Sequence, residues 1–252
     1  VAPGPGGVRL TQERFAADST AKTPLSWHVP VLAQSAGDKA PWRGVVAKGA
    51  PVQVPAKPGA IVNEGQAGYF RTAYDPALLK AVAARFVTLS AENQFGLIND
   101  TRALGYSGYA PLTEFLSLAE QTKSTMDAQV QAAVAARLQG SDSLYDGLPG
   151  QTAFRSFGRT LLDPLFAKVG WDVKPGESDN MPILRETLLD ALSQFDDPGV
   201  IAEARKRFAA YLKDPSHITA DTRRSMLKII ALHANAAEWE QLHVLARTAK
   251  TA

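Results

Sequence analysis

Cysteine is missing from all 252 residues, which removes disulfides and thiolate metal sites from consideration. That absence fits cytoplasm and periplasm alike. No apolar run is long enough to cross a bilayer as a helix, and the opening VAPGPGG lacks the charged and apolar regions of a signal peptide. A charge surplus is missing as well. The 27 Lys and Arg stand against 25 Asp and Glu, too balanced to draw the chain to nucleic acid or to a membrane. Neither is therefore expected as a partner.

Catalytic signatures are also absent. A zinc-hydrolase helix needs H-E-x-x-H, which sets two imidazoles one turn apart. His28, His217, His233 and His243 never fall at that spacing. The nearest cluster is His233, Glu238, Glu240 and His243. Glu240 and His243 share a helix face, but Asn235 marks a break between helices that separates His233 from them. A zinc site needs three or four convergent ligands, so these residues are expected to be solvated instead. Gly105-Tyr106-Ser107-Gly108 lacks a spacer of the nucleophile elbow and follows a helical pattern, which makes it a helix-ending turn. Gly4-Pro5-Gly6-Gly7 follows no strand and loses a donor to proline, so it is no phosphate loop. Arg205-Lys206-Arg207 and Arg223-Arg224 have acidic neighbours and fit solvated helix faces. No catalytic, cofactor-binding or metal-ligating residue is assigned in this chain.

What the sequence does contain is a change of period. Hydrophobic residues make up 45% and charged residues 21%, enough apolar material for a sizeable core. After a flexible lead-in at Val1–Gly7, short strand-like runs alternate with Pro and Gly. They are Val8–Ala16, Leu25–Ala33, Trp42–Ala47, Pro51–Val54, Ala60–Asn63 and Tyr69–Tyr74. Pro30 argues for an edge position or a bulge in the second run. Trp27 and Trp42 are expected to fill the core of a small β-sandwich, with His28 facing solvent.

From Pro76 the apolar residues recur about every 3.6 positions. Asp75 caps the first helix and Pro76 takes its first position. Further helices follow over Ser90–Leu104, Pro111–Gln121, Met126–Leu138, Thr152–Val169, Met181–Phe195, Gly199–Leu212, Ile218–Ala234 and Ala237–Ala249. A loop is expected over Gly140–Gly150, and Pro164 is expected to kink or divide its helix. Asp197, Asp214 and either Ser216 or Thr219 are expected at helix starts and stops. The fold class is therefore α+β: a small N-terminal β-sandwich over residues 1–75, then an all-α, HEAT-like array over residues 76–252.

Several stretches, in order, resemble the C-terminal region of the aminopeptidase N and puromycin-sensitive aminopeptidase family of zinc metallopeptidases. Leu10–Phe15, LTQERF, resembles a strand of the small sandwich after the catalytic domain. Trp27–Val31, WHVPV, resembles the W-x-[IV]-P-[VI] strand. Asn63–Asp75, with Gly68, Tyr69, Phe70, Arg71 and Tyr74, resembles the strand that leads into the helical domain. Phe95–Leu104, FGLINDTRAL, resembles the R-x-x-L-x-[ND]-D-x-x-x-L helix, with Gln94 departing from the usual basic residue. Gly170-Trp171 and Arg185–Phe208, ending in the E-A-R-x-R-F of Glu203–Phe208, resemble the bacterial branch.

The resemblance implies that the full-length enzyme carries an N-terminal β-domain and a thermolysin-like catalytic domain before Val1, the latter with zinc. It also implies that this chain is a non-catalytic piece, inactive alone, closing over the active-site cleft and governing substrate access. Its partners would be the catalytic domain of the same polypeptide and a peptide substrate. The opening without Met agrees with a fragment of a longer protein. The competing reading is a stand-alone helical-repeat scaffold that binds a protein partner.

Overall fold

A computed structural model describes residues 1–18, 25–123 and 126–249; the side chain of His217 is outside that description. The chain forms two compact units, Val1–Val130 and Gln131–Ala252. Among the described residues it is mostly helical, with two small antiparallel sheets, and so α+β as expected.

Among the described residues all the strands lie in the first unit. One sheet has the order β1 (Ala2–Gly4), β2 (Gly7–Leu10), β5 (Val52–Val54), with Val8 opposite Val54. The other has β4 (Trp42–Val46), β3 (Val29–Gln34), β6 (Ile61–Val62), with Ala33 opposite both Trp42 and Val62. Val8 and Leu10 of β2 and Val31 and Ala33 of β3 are buried at alternate positions, as a half-covered strand requires, and Val46, Val54 and both residues of β6, Ile61 and Val62, are buried with them. Pro30 sits in the middle strand, yet β6 meets only Ala33 and Gln34. Pro30 therefore has a strand on one side only, and its missing N–H breaks no ladder bond.

Several expectations for this region need correction. The lead-in is not loose: Ala2–Gly4 pairs with β2. The strand expected over Val8–Ala16 ends at Leu10. Beyond it the Gln12 amide does the work of a ladder, donating to the Trp27 and Val46 carbonyls at 2.7 and 2.8 Å and accepting from the Trp27 N–H at 2.8 Å. Trp27 lies before the start of β3, where no pairing fixes its side, and is 47% exposed. Trp42 lies over Gly44, two residues along the same face, and is only half-buried. His28 is exposed as expected. Tyr69–Tyr74 is not a strand; it follows a 3-10 turn, Glu64–Gln66, as irregular backbone.

The helices begin where their capping residues stand. Asp75 accepts from the Ala77 N–H at 2.9 Å with Pro76 first in α1 (Pro76–Ala83). Ser90 caps α2 (Ala91–Tyr106), and α3 is Thr113–Ala119. The unit boundary falls inside α4 (Ala128–Asp142), which runs past Gly140 into the expected loop. Then come α5 (Gln151–Val169), α6 (Asn180–Gln194), α7 (Pro198–Lys213), α8 (Ala220–His233) and α9 (Ala236–Thr248). Asp197, Thr219 and Asn235 cap the last three. Pro164 does not divide α5, which is continuous through it. Loss of one backbone bond is tolerated because Leu162 and Leu165, on either side of it, are both buried.

Phe86, Ile98, Phe115 and Leu118 anchor the core of the first unit. Leu162, Leu184, Leu188, Leu189, Leu192, Phe195 and Met226 anchor the second. Each such side chain contributes roughly 1.5–3 kcal/mol on leaving water.

Candidate functional site

The family-like residues of the first unit fasten the segment 63–75 to α2 and to its own loop. Asn63 has a left-handed backbone (φ 66°), which its short amide side chain tolerates. Its Oδ1 accepts from the Gly68 N–H at 2.7 Å, and its Nδ2 donates to the Gly68 carbonyl at 3.0 Å, closing the loop before Tyr69. Asn93 of α2 reaches the same loop, accepting from the Gly65 N–H at 2.9 Å and donating to Glu64 at 3.0 Å. One helical repeat further along α2, Asp100 is 5% exposed. It accepts from the Thr72 N–H at 2.9 Å and from Arg71 Nη1 at 3.2 Å. Burial pushes its carboxyl up to about 6, against the pull of the Thr72 amide and Arg71. The Arg71 guanidinium lies 5.0 Å above the Phe15 ring, and Phe15 packs on Tyr109 at 5.3 Å. Tyr74 is buried, and its hydroxyl accepts from the Val62 N–H at 2.8 Å; burial raises its titration well above the usual tyrosine range. Gln94, the departure from the family pattern, is buried and donates to the Phe86 carbonyl at 2.9 Å.

In the second unit the motif residues join turns to helices. Arg185 is 5% exposed, grips Glu177 through two contacts of 2.6 and 2.7 Å, and donates to the Gly170 carbonyl at 3.0 Å. That grip holds the Glu177 carboxyl below its ordinary range. Arg207 is bidentate to Asp172 at 2.7 and 2.8 Å, bonds Glu203 at 2.9 Å, and stacks over Trp171 at 5.0 Å. Arg205 donates to Glu238 at 2.8 Å and to the His233 carbonyl at 3.0 Å. Arg205 and Lys206 are exposed, as a solvated face requires, while Arg207 is half-buried, and both arginines are also ion-paired across elements. A further network was not anticipated: Arg155 is bidentate to Asp142 at 2.9 and 2.8 Å and reaches Asp196 at 2.6 Å, with Gln194 also on Asp142 at 3.3 Å. Asp142 lies in the stretch taken for a loop, and its partners are 13 and 52 residues away, so no local pattern announces it.

The candidate metal ligands point to other partners. His233 Nε2 is 2.9 Å from the Ser193 carbonyl, and Glu238 is bound by Arg205 and by the Asn235 N–H in a capping box. His243 lies against Trp239, its Nδ1 3.7 Å from Glu240. Among the described residues no three His, Asp or Glu side chains are placed to hold a metal ion. A groove of about 490 Å³ runs between α1 and α3, floored by Leu79, Ala83 and Leu118 and rimmed by Lys80, Glu114 and Glu120.

The molecule is thus a helix-rich module in which the motif residues fasten loops to helices, among them the segment that leads from the strands into α1. Residues 60–252 match the family model described as the ERAP1-like C-terminal domain, and the chain belongs to that family, the C-terminal domain of the aminopeptidase N family. Aminopeptidase M1-A of Oryza sativa subsp. japonica is 31% identical over 160 residues, covering 61% of this chain and 18% of that protein. Aminopeptidase M1 of Arabidopsis thaliana is 28% identical over 183 residues, 69% of this chain and 20% of that protein. Aminopeptidase N of Plutella xylostella is 29% identical over 203 residues, 75% and 22% respectively. The chain spans about a fifth of the length of the curated relatives it matches.

Proposed function

We propose that this chain is the non-catalytic C-terminal part of a zinc-dependent aminopeptidase that removes N-terminal residues from peptides. The observation that carries the reading is the family match over residues 60–252, together with relatives named as aminopeptidases. In this reading residues 1–75, with their two small sheets, form the sandwich that mounts a HEAT-like helical cap over residues 76–252. The Gly170-Trp171 and Arg185–Phe208 stretches belong to the bacterial form of that cap. The cap closes over the catalytic domain of the same polypeptide. Zinc would be held by residues of that domain, not of this chain, and would supply a polarised water there. A wall of helices around such a site excludes folded proteins by size and gates the entry of peptides.

The test is an assay of an aminoacyl chromogenic substrate with and without chelator. The chain alone is expected to show no turnover. The full polypeptide is expected to show chelator-sensitive turnover, and to lose its discrimination between short peptides and folded proteins when this chain is deleted. Chelator-sensitive turnover by the chain alone, or unchanged discrimination after the deletion, overturns the reading.

A further inference from the structure

The irregular segment Tyr69–Tyr74 is fastened to α2 by a carboxyl that has two ways of bonding. In the structure Asp100 accepts from the Thr72 N–H through Oδ2 and from Arg71 through Oδ1. Arg71 approaches from the wet side, with 38% of its side chain exposed. Next to the amide that Asp100 holds, the Thr72 hydroxyl is buried and has no hydrogen-bond partner among the described residues. A buried hydroxyl left without a partner is costly, and such groups call for a physical explanation. A carboxylate can only accept, whereas a carboxylic acid has a proton to give. The Thr72 oxygen has lone pairs to receive it after a rotation about the Cα–Cβ bond.

We propose that Asp100 is a two-position clasp: ionised, it holds Arg71 and the Thr72 amide; neutral, it frees Arg71 and donates its proton to the Thr72 hydroxyl. The switch lies within the first unit and does not depend on the proposed cap function. The released guanidinium also leaves the Phe15 ring, which loosens the hold on residues 10–16. The groups around Asp100 permit this exchange. Arg71 is the cation that bonds it; Tyr74, on the same segment, is occupied by the Val62 amide, and Glu64 lies within electrostatic reach of Tyr74. Arg102, on α2 itself, stacks over Tyr106. From α3, Phe115, Leu118 and Ala119 turn inward, while Glu114 and Glu120 rim the groove beside α1. Arg14, beside Phe15, meets Tyr109 through its carbonyl. Burial sets the exchange in the mildly acid range, at about 6.

The test is a carbon NMR titration of the Asp100 carboxyl in the full chain, together with amide hydrogen exchange at about pH 7 and about pH 5, corrected for intrinsic rates. Asp100 is expected to titrate near the value burial sets. Thr72→Val, which removes the proton's acceptor, is expected to lower that midpoint by about 1 unit, and Thr72→Ser to restore it. Exchange over residues 10–16 is expected to rise several-fold from the higher pH to the lower. In Asp100→Asn it should be the same at both. An unchanged midpoint in Thr72→Val, or exchange over residues 10–16 that ignores pH in the native chain, overturns the proposal.

Discussion

Gly158 of α5 lies flat against the ring of Phe195: a Cβ at position 158 would come within 2.4 Å of the ring edge. Phe195 is fully buried and ends α6, so the glycine sets how closely the two helices approach. Gly158→Ala gains about 1 kcal/mol of helix propensity but incurs about 1–3 kcal/mol of overpacking, because a buried ring cannot step aside. A net loss of up to about 2 kcal/mol is expected in urea denaturation. Combining it with Phe195→Leu should cost less than the sum of the two singles, since the smaller side chain relieves the clash. Gly96 makes a useful contrast. There the clash is with the end of the Gln66 side chain, which can swing away, so Gly96→Ala should cost little.

Among the described residues of the second unit, Arg185 and Glu177 form an ion pair with both side chains largely enclosed. Arg185→Met is expected to lower stability by about 1.5–3 kcal/mol, the range for hydrogen bonds to a charged group, because the Glu177 left behind is only half-buried. Arg185→Lys should recover only part of this, because one ammonium cannot reach Glu177 and also replace the Nε bond to the Gly170 carbonyl. The pH dependence follows from the lowered Glu177 pKa. Its contribution is present above the unfolded pKa of a glutamate and is lost as pH falls through the depressed folded value. Glu177→Gln should flatten that acid limb in a series of melts.

Asp100 works with the opposite sign. Its folded pKa is raised to about 6 from 3.8, so the folded chain binds the proton more tightly than the unfolded one. The stability this gives is fully present below the unfolded value and is lost as pH rises through about 6. The loss across that window amounts to about 3 kcal/mol, and Asp100→Asn should remove it. Denaturation midpoints measured between those limits would check the slope.

Asn63→Ala and Asn63→Gly separate backbone from side chain. Both lose the two bonds to Gly68, at about 1 kcal/mol each. Only alanine must also hold the left-handed backbone, at a further 1–2 kcal/mol or so. Thermal melts are expected to rank native above glycine, and glycine above alanine.

How much of this was legible in the sequence depended on distance along the chain. Asp75, Ser90, Asp197 and Thr219 all cap helices as their positions suggest, because a cap is settled within about four residues. The same local reading failed at Tyr69–Tyr74. Aromatic and β-branched residues there imitate a strand, while the Thr72 N–H is taken by Asp100, 28 residues away, and the Ala73 carbonyl by the amino group of Val1. Trp27 was misplaced because its alternation continues that of β3, whose pairing begins only at Val29. In the second unit, the spacing showed Arg205 and Arg207 on helix faces but could not show that Asp172 and Glu238 come from other elements to meet them. The Asp142–Arg155–Asp196 network left no trace, since each member looks like an ordinary surface charge until the helices are packed.

No described side chain of α9 is buried, and its capping box ties its start to Arg205 of α7 through Glu238. Beyond that first turn the helix is held only by half-buried side chains such as Leu242, His243 and Leu245. Drawn from the C-terminus in a force experiment, it should peel away at low tension as a separate early extension, leaving α8, with Met226, Ile229 and Ile230 in the core, to resist until the second unit yields as a whole.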